Sequence, residues 1–593
     1  MHVIATAGHV DHGKSALLRR LTGRNPDRWD EERRRGLTIG LGFVWTTLPG
    51  GQEIAFVDVP GHERFVPTML AGVGPVPAVL FAVAADEGWM PQSAEHLEAL
   101  DALGVRHGLL VVTRSDLADP GPARRAALDA MAGTSLAGVR SVAVSSVTGA
   151  GFGDLVAELG RLADALPPPD PGADVRLWVD RSFTIAGAGT VVTGTLSAGT
   201  LRAGDELVLA STGRPVRVRS LQSLERPRDE VSALARVAVN LRGVDRADVE
   251  HGDALLTPGR WLSTDLADAV VSADPGQLRG ELTVHIGSAA VPVHVRPLGT
   301  ASARLRLRRP LPLRAGDRLL VRDPGRHRVV ARADVVDPRP PALRRRGAAA
   351  ARGRRVDALA GADRERLADA VLAERAAVPA DELRRTGLPI AGRQAGGWCV
   401  AADAWARWQR ELAALVTLWR RDRPLEQGVP VEAARRRLGV PDAALLEQVA
   451  RAAGLVVTGG VVRAPGGEPG LPPAVREAVA ALAEDLGTDP FAAPDANRLR
   501  ELGLGRRELA AAVRAGALLR VADGLVLLPG AEDAAVQRLA GLPEPFSVSD
   551  ARKALGTSRR VAVPLLELLD RQGRTERLPD DTRTIRNERG NEG

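Results

Sequence analysis

Residues 8–15 read GHVDHGKS, which fits the spacing G-x-x-x-x-G-K-[ST]. Gly8 and Gly13 let the backbone curl until its amides point inward at anionic oxygens. His9, Val10, Asp11 and His12 then form the wall of a phosphate cradle. Lys14 is one of two lysines in 593 residues, the other being Lys553, in a chain that otherwise fills its basic positions with arginine. A compact ammonium passes beside β- and γ-phosphates where a planar guanidinium does not fit, so this position resists the arginine bias. The Ser15 hydroxyl is the group expected to reach Mg²⁺.

Three further stretches decide which nucleotide is held and whether it is hydrolysed. RRRGLTIGLGF (33–43) carries Thr38, placed to reach Mg²⁺ and sense a γ-phosphate. IAFVDVPGHERF (54–65) carries Asp58 for the metal, Gly61 for the γ-phosphate through its amide, and His62 directly after it. LLVVTRSDL (109–117) ends an apolar strand in Thr113, Arg114 and Asp116. The Asp116 carboxylate can accept from both N1 and N2 of guanine, a donor pair that adenine lacks. VAVSSVTGAG (142–151) ends another strand in Ser145 and Ser146. GTP or GDP with Mg²⁺ is the cofactor set this pattern predicts.

Holding these groups together takes strands whose C-terminal ends share one edge. VIATA precedes the loop and SALLRRLTG follows it, and apolar strands then alternate with helices through residue 168. That alternation predicts a parallel α/β sheet with the phosphates at its strand ends. LPPPDPGAD (166–174) breaks the pattern. Short alternating runs separated by glycine turns predict one β-barrel over 174–265 and a second over 266–338. PRPPALRRRGAAAARGRR reads as a basic linker over 339–356. Beyond it, hairpins led by Gly454, Gly516 and Gly573 recur, each after an amphipathic helix, with a weaker copy at 395–405. Helix, turn, helix and two-stranded wing predict four tandem winged-helix modules at 357–404, 405–466, 467–530 and 531–593. The fold class expected is therefore multidomain: an α/β P-loop GTPase domain, two β-barrels and four winged helices.

Composition excludes several classes. A single cysteine, Cys399, leaves no intramolecular disulfide and no cysteine-based zinc cluster, and suits a reducing compartment. No apolar run approaches the roughly 20 residues of a membrane span. The first strand starts at Val3 and runs straight into the cradle, leaving no room for a signal peptide. A cytoplasmic monomer without membrane contact is the expectation. The net charge of +7, from 80 bases and 73 acids, is modest for this length and carries little weight for nucleic acid.

In order and spacing, the four nucleotide motifs resemble those of translational GTPases. A GTPase domain followed by two barrels resembles elongation factor Tu, and VDRSFTIAGAGTVVTGTLSAG (179–199) is similar to the first barrel of that wider family. With four winged helices added, the chain resembles the bacterial selenocysteine-specific elongation factors (SelB type). The most specific stretch is FSVSDARKALGTSRRVAVPLLELLDRQGRTERLPDDTRTIR.

The resemblance implies a GTP-dependent factor that delivers selenocysteinyl-tRNA to the ribosomal A site at UGA codons. Recruitment would come from a selenocysteine insertion hairpin in the mRNA, and hydrolysis would be stimulated by the ribosome. It implies that His62 orients the attacking water. It also accounts for Thr113, because that branch has threonine where other members have asparagine; loss of an amide tie between strand and loop is the expected cost. Arg114 stands for the lysine whose stem lies along the base. Asp180, Arg181 and Arg236 occupy positions where the family places a selenocysteinyl pocket, cations there favouring a selenolate over a hydroxyl. The alternative for these arginines is ordinary solvated barrel positions.

In the last module Ser558 is expected to cap a helix, with Lys553, Arg559 and Arg560 on RNA phosphates and unstacked loop bases. The alternative is a solvated basic helix. Three other functions compete with this reading: ordinary elongation factor Tu, a GTPase subunit activating a metabolic enzyme, and a GTP-controlled nucleic-acid-binding regulator acting on DNA. The long tail opposes the first two; His62 and the barrels oppose the third.

Overall fold

The computed structural model describes residues 1–26, 40–61, 66–74, 76–185, 189–326, 328–466 and 471–586. Thr38 and His62 lie outside the described residues. The chain divides into two compact units, Met1–Cys399 and Val400–Gly593.

The first unit opens with the expected α/β layer. Its strands are β1 His2–Ala7, β2 Gly42–Thr47, β3 Glu53–Asp58, β4 Ala78–Ala84, β5 His107–Thr113 and β6 Arg140–Ala143. They lie in the order β2-β3-β1-β4-β5-β6, with only the β2–β3 pair antiparallel. Helices α1 Lys14–Thr22, α2 Val66–Val73, α3 Pro91–Leu103, α4 Pro120–Met131 and α5 Phe152–Ala165 connect them. The sheet separates two apolar layers, and β4 is buried at every position. Central parallel strands read as continuous apolar runs for this reason.

The first barrel follows from Arg176, with Ala235–Arg242 paired to Gly189–Leu196 and Pro215–Ser223 at its centre. The second closes fully, from Ser263–Val271 round to Arg328–Asp337. Alternation explains both: in Ala289–Pro297, Val291, Val293 and Val295 are buried while the residues between them are exposed.

The second half of the segment read as a basic linker over 339–356 is helical. Ala348–Asp357 is a helix, and Arg352 is 6% exposed within it. Its guanidinium bonds Asp268 (2.7 Å), Asp337 (2.8 Å) and Glu374. Arg304 shares Asp268 and Arg375 shares Asp337. Alanine and arginine runs are strong helix formers, and three carboxylates supply the partners that composition alone did not reveal. Gly353 lets the helix approach closely, since a Cβ there would meet the Leu298 carbonyl at 2.2 Å.

The first winged-helix module is abbreviated. Helices Arg364–Arg375 and Ala380–Arg385 are followed at 386–392 by loop, so the usual second helix of a helix-turn-helix does not form. It belongs to the first compact unit, with Ala315 N donating to Thr386 O (2.8 Å) on the barrel side.

The first helix of the second unit, Ala402–Asp422, starts three residues before the boundary expected at 405. Helices Val431–Leu438 and Ala443–Ala452 complete that module with a wing at Val456–Thr458 and Val461–Arg463. The next two modules pair helices Ala496–Glu501 with Arg506–Arg514, and Val548–Leu555 with Arg559–Arg571. These last two share one apolar core, which runs from Ala478 to Leu569 and includes Phe491 and Phe546. Among the described residues no helix is long and apolar enough to cross a membrane.

Candidate functional site

The cradle forms between β1 and α1, as its residue types require. Gly8 has φ 124°, and a Cβ there would meet the Ala82 carbonyl at 2.1 Å. Asp11 and Gly13 also take positive φ. Lys14 is 6% exposed and donates to the carbonyls of Gly8 (3.0 Å) and His9 (2.7 Å), which stretches its ammonium across the loop. Burial pulls that ammonium down to about 8, with Asp58 and Asp11 opposing. A Cβ on Gly61 would lie 2.6 Å from Lys14 Nζ, so only glycine lets this turn close over the lysine.

The metal-ligand candidates stand together. Ser15 Oγ donates to Asp58 Oδ2 (2.7 Å), and Thr6 Oγ1 donates to Asp58 Oδ1 (2.8 Å) while accepting from Val59 N (3.1 Å). Asp58 is fully buried. A hydroxyl and a carboxylate, both hard oxygen donors beside a phosphate cradle, are the partial ligand set that suits Mg²⁺. Thr6 had no motif to mark it; its role follows only from the parallel neighbours β1 and β3.

The base-side loops meet at the ends of β5 and β6, where Ser115 N donates to Val144 O (3.2 Å). Asp116 is exposed there, and Ser146 is half-buried beside it in sequence from buried Ser145, whose Oγ accepts from Thr148 N (3.0 Å). Thr113 corrects an expectation. Its buried hydroxyl donates to the His12 carbonyl (2.8 Å), so the tie between strand and cradle survives without asparagine. Arg114 is anchored through its head group. Its guanidinium bonds Asp86 (3.0 Å), Glu87 (2.6 Å) and the Asp11 carbonyl, so it braces the loop.

His12 is fully buried with Glu87 3.4 Å from its Nε2, and burial, then His9, lowers its pKa to about 4. His9 packs edge-on against it at 5.0 Å. Two groups absent from the sequence expectations hold the cradle from behind. His96 Nδ1 accepts from Gly8 N (3.0 Å) and Gln92 Oε1 accepts from Val10 N (3.1 Å). Their i,i+4 spacing on α3 was visible in PQSAEH, but nothing local points at a loop more than 80 residues away.

Asp180, Arg181 and Arg236 do come together. Arg236 NH2 donates to Asp180 Oδ1 (2.6 Å), both groups being nearly buried, and the Arg236 guanidinium lies 3.7 Å from the Phe43 ring centroid. Arg181 sits 5.4 Å from the same ring and donates to the Leu41 carbonyl. Phe43, Arg181 and Arg236 line a cavity of about 220 Å³ between β2 and the first barrel.

In the second unit Lys553, Ser558, Arg559 and Arg560 are exposed on one helix-turn-helix. Ser558 occupies the N-cap position of Arg559–Arg571 without a side-chain cap bond, contrary to expectation. The capping instead happens one helix earlier, where Ser547 and Asp550 close a capping box. Arg560 donates to the carbonyls of Ala493 (3.1 Å) and Pro494 (2.8 Å), which ties the last module to the one before.

Comparison with known proteins agrees with this geometry. The model for the elongation factor Tu GTP binding domain matches residues 1–165, and that for elongation factor Tu domain 2 matches 189–256. The selenocysteine-specific elongation factor β-barrel domain matches 272–342, and the elongation factor SelB winged helix matches 537–584. The selenocysteine-specific elongation factor of Desulfomicrobium baculatum is 38% identical over 57% of this chain and 56% of its own length. That of Escherichia coli K12 is 30% identical over 98% of both chains. The crystal structure of a bacterial selenocysteine-specific elongation factor, EF-Sec, superposes with a TM-score of 0.71 at 25% identity, covering 99% of this chain and all of that one. The chain belongs to the family of selenocysteine-specific elongation factors and is a translational GTPase.

Proposed function

We propose that this GTPase carries selenocysteinyl-tRNA to the ribosomal A site at UGA codons, and that a hairpin in the mRNA recruits it through the last winged helices. The observation that best supports the reading is the joining, in one chain, of an elongation-factor nucleotide site with a terminal winged-helix pair. Lys14 and the amides around Gly13 would hold the phosphates, and Asp116 would read guanine. Ser15, Asp58 and Thr38 would hold Mg²⁺, which supplies charge neutralisation on the β- and γ-phosphates when bound. His62 would orient the attacking water. Asp180, Arg181 and Arg236 would receive the aminoacyl group, where a selenolate gains more than a neutral hydroxyl from a partly desolvated cation. Lys553 and Arg559 would meet RNA phosphates or stacked loop bases.

The test is protection of the aminoacyl ester from hydrolysis. GTP should make the protein protect selenocysteinyl-tRNA and leave seryl-tRNA unprotected. Equal protection of both, or protection indifferent to GTP, would overturn the proposal. A preference of the tail for duplex DNA over an RNA hairpin would favour the regulator instead.

A further inference from the structure

Strand β1 is apolar along its buried length except at one position. Val3, Ile4, Ala5 and Ala7 are fully buried, and Thr6 stands among them at 1% exposure. A hydroxyl in such a place costs free energy unless it is hydrogen-bonded. The β1–β3 ladder pairs His2 with Ile54 through to Ala5 with Val57, which brings Thr6 level with Asp58 one step further on. Val59 N donates to Thr6 Oγ1 (3.1 Å), and Thr6 Oγ1 donates to Asp58 Oδ1 (2.8 Å). An amide can only give, so the single proton of the hydroxyl is left for the carboxylate. The other carboxylate oxygen, Oδ2, accepts from Ser15 Oγ (2.7 Å). Asp58 is wholly buried, and its two oxygens are thus held from two elements, β1 and the start of α1.

We infer that Thr6 is a positioning residue for the Mg²⁺ site, fixing the rotation of the Asp58 carboxylate so that Oδ2 stays beside the Ser15 hydroxyl. The inference rests on Ser15 and Asp58 being oxygen donors to the metal. The terminal torsion of an aspartate is soft, and a carboxylate that turns presents its oxygens in the useful direction only part of the time. Pinning Oδ1 removes that freedom in advance. Groups that hold a metal-binding side chain in this way are worth on the order of 10–100-fold in metal affinity. The same hydroxyl satisfies the Val59 amide at the start of the turn that brings Gly61 over Lys14. Packing alone gives no reason for the oxygen, because valine has the shape of threonine and suits the neighbours Ile4 and Ala5.

The measurement is release of N-methylanthraniloyl-GDP from the full-length protein by stopped flow, across a Mg²⁺ series and in EDTA. Binding of Mn²⁺ to the GDP complex, followed by electron paramagnetic resonance, reads the metal directly. Thr6→Val should raise the Mg²⁺ concentration for half-maximal slowing of release about tenfold, and weaken Mn²⁺ by about the same factor. Release in EDTA should stay within about twofold of the parent, because the cradle keeps its lysine and its amides. Thr6→Ser, which retains the hydroxyl, should titrate as the parent does, and Thr6→Ala should repeat the valine result in a smaller side chain. An unchanged Mg²⁺ midpoint in folded Thr6→Val or Thr6→Ala overturns the inference, and so does a serine variant as weak as the valine one. Faster release by one factor in both EDTA and Mg²⁺ also overturns it, since Thr6 would then serve the fold and not the metal site. If release from the parent is indifferent to Mg²⁺, the metal reading of Ser15 and Asp58 falls, and the positioning role falls with it.

Discussion

Thr113 is where one hydroxyl does the work of an amide. It bonds the His12 carbonyl from a buried strand end, so its loss leaves that carbonyl unpaired beside the cradle. Thr113→Val should therefore cost about 1–2 kcal/mol of stability and weaken GTP binding several-fold, whereas Thr113→Asn should restore the tie. Titration with a fluorescent GTP analogue separates the two, and equal binding by both variants would show that the contact is idle. Asp116 is exposed at the mouth of the same loop, free of the bracing that occupies Arg114. If its carboxylate reads N1 and N2 of guanine, Asp116→Asn should move the preference from GTP to xanthosine triphosphate in a competition assay. Binding of ATP by the parent as tight as that of GTP would remove Asp116 from this role.

Helix Ala348–Asp357 shows how buried charge can weld one element to another. Arg352 serves Asp268, Asp337 and Glu374 at once, and cutting it out leaves the buried Asp268 and Asp337 with one guanidinium each, Arg304 and Arg375. Arg352→Ala should lower the stability of the first unit by about 3 kcal/mol, because two buried carboxylates are left only partly compensated. Arg355→Ala, an exposed position of the same helix, should cost under about 1 kcal/mol. Urea unfolding of the two variants makes the comparison, and equal losses would deny the network its role. Strand Leu282–Ile286 carries a second buried group, His285, whose pKa is lowered to about 4 by burial and then by Arg322. Below pH 6.5 the unfolded chain takes up a proton that the folded site accepts only near pH 4. The stability owed to the neutral ring is thus complete above pH 6.5 and is lost as pH falls toward 4, at up to about 1.4 kcal/mol per unit. His285→Gln should flatten the fall in Tm between pH 6.5 and 4.5; parallel curves for variant and parent would refute this.

Across the whole molecule the modules are unequal. The first, lacking its second helix-turn-helix helix, belongs to the GTPase and barrel unit, while the last two share a core with each other. A fragment of residues 470–593 should fold and bind the mRNA hairpin by itself, whereas 531–593 alone should not fold, because Leu482, Leu486 and Phe491 would be missing from its core. Arg559→Ala in the longer fragment should weaken binding by about 1–3 kcal/mol and reduce its salt dependence. Arg560→Ala should cost stability as well, given its bonds to Ala493 and Pro494. Circular dichroism and filter binding across a salt series report both quantities. Full hairpin binding by the folded Arg559→Ala fragment would place the RNA elsewhere.

Much of this was legible in the residues alone. Phosphate chemistry demands glycines, a lysine and a hydroxyl at fixed short spacing, so GHVDHGKS declares its strand, loop and helix without any tertiary knowledge. The alternation of apolar runs likewise declared the α/β layer and the barrels, because period and burial are local properties of a chain. Tertiary structure alone decided the long-range partners. His96 and Gln92 reach a loop more than 80 residues away. Arg352 finds its carboxylates across a gap that turned an apparent linker into a docked helix. Phe43 meets Arg236 only because β2 faces the first barrel. Hydrogen bonds and ion pairs between distant segments depend on which surfaces the fold brings together, and no spacing within a segment records that.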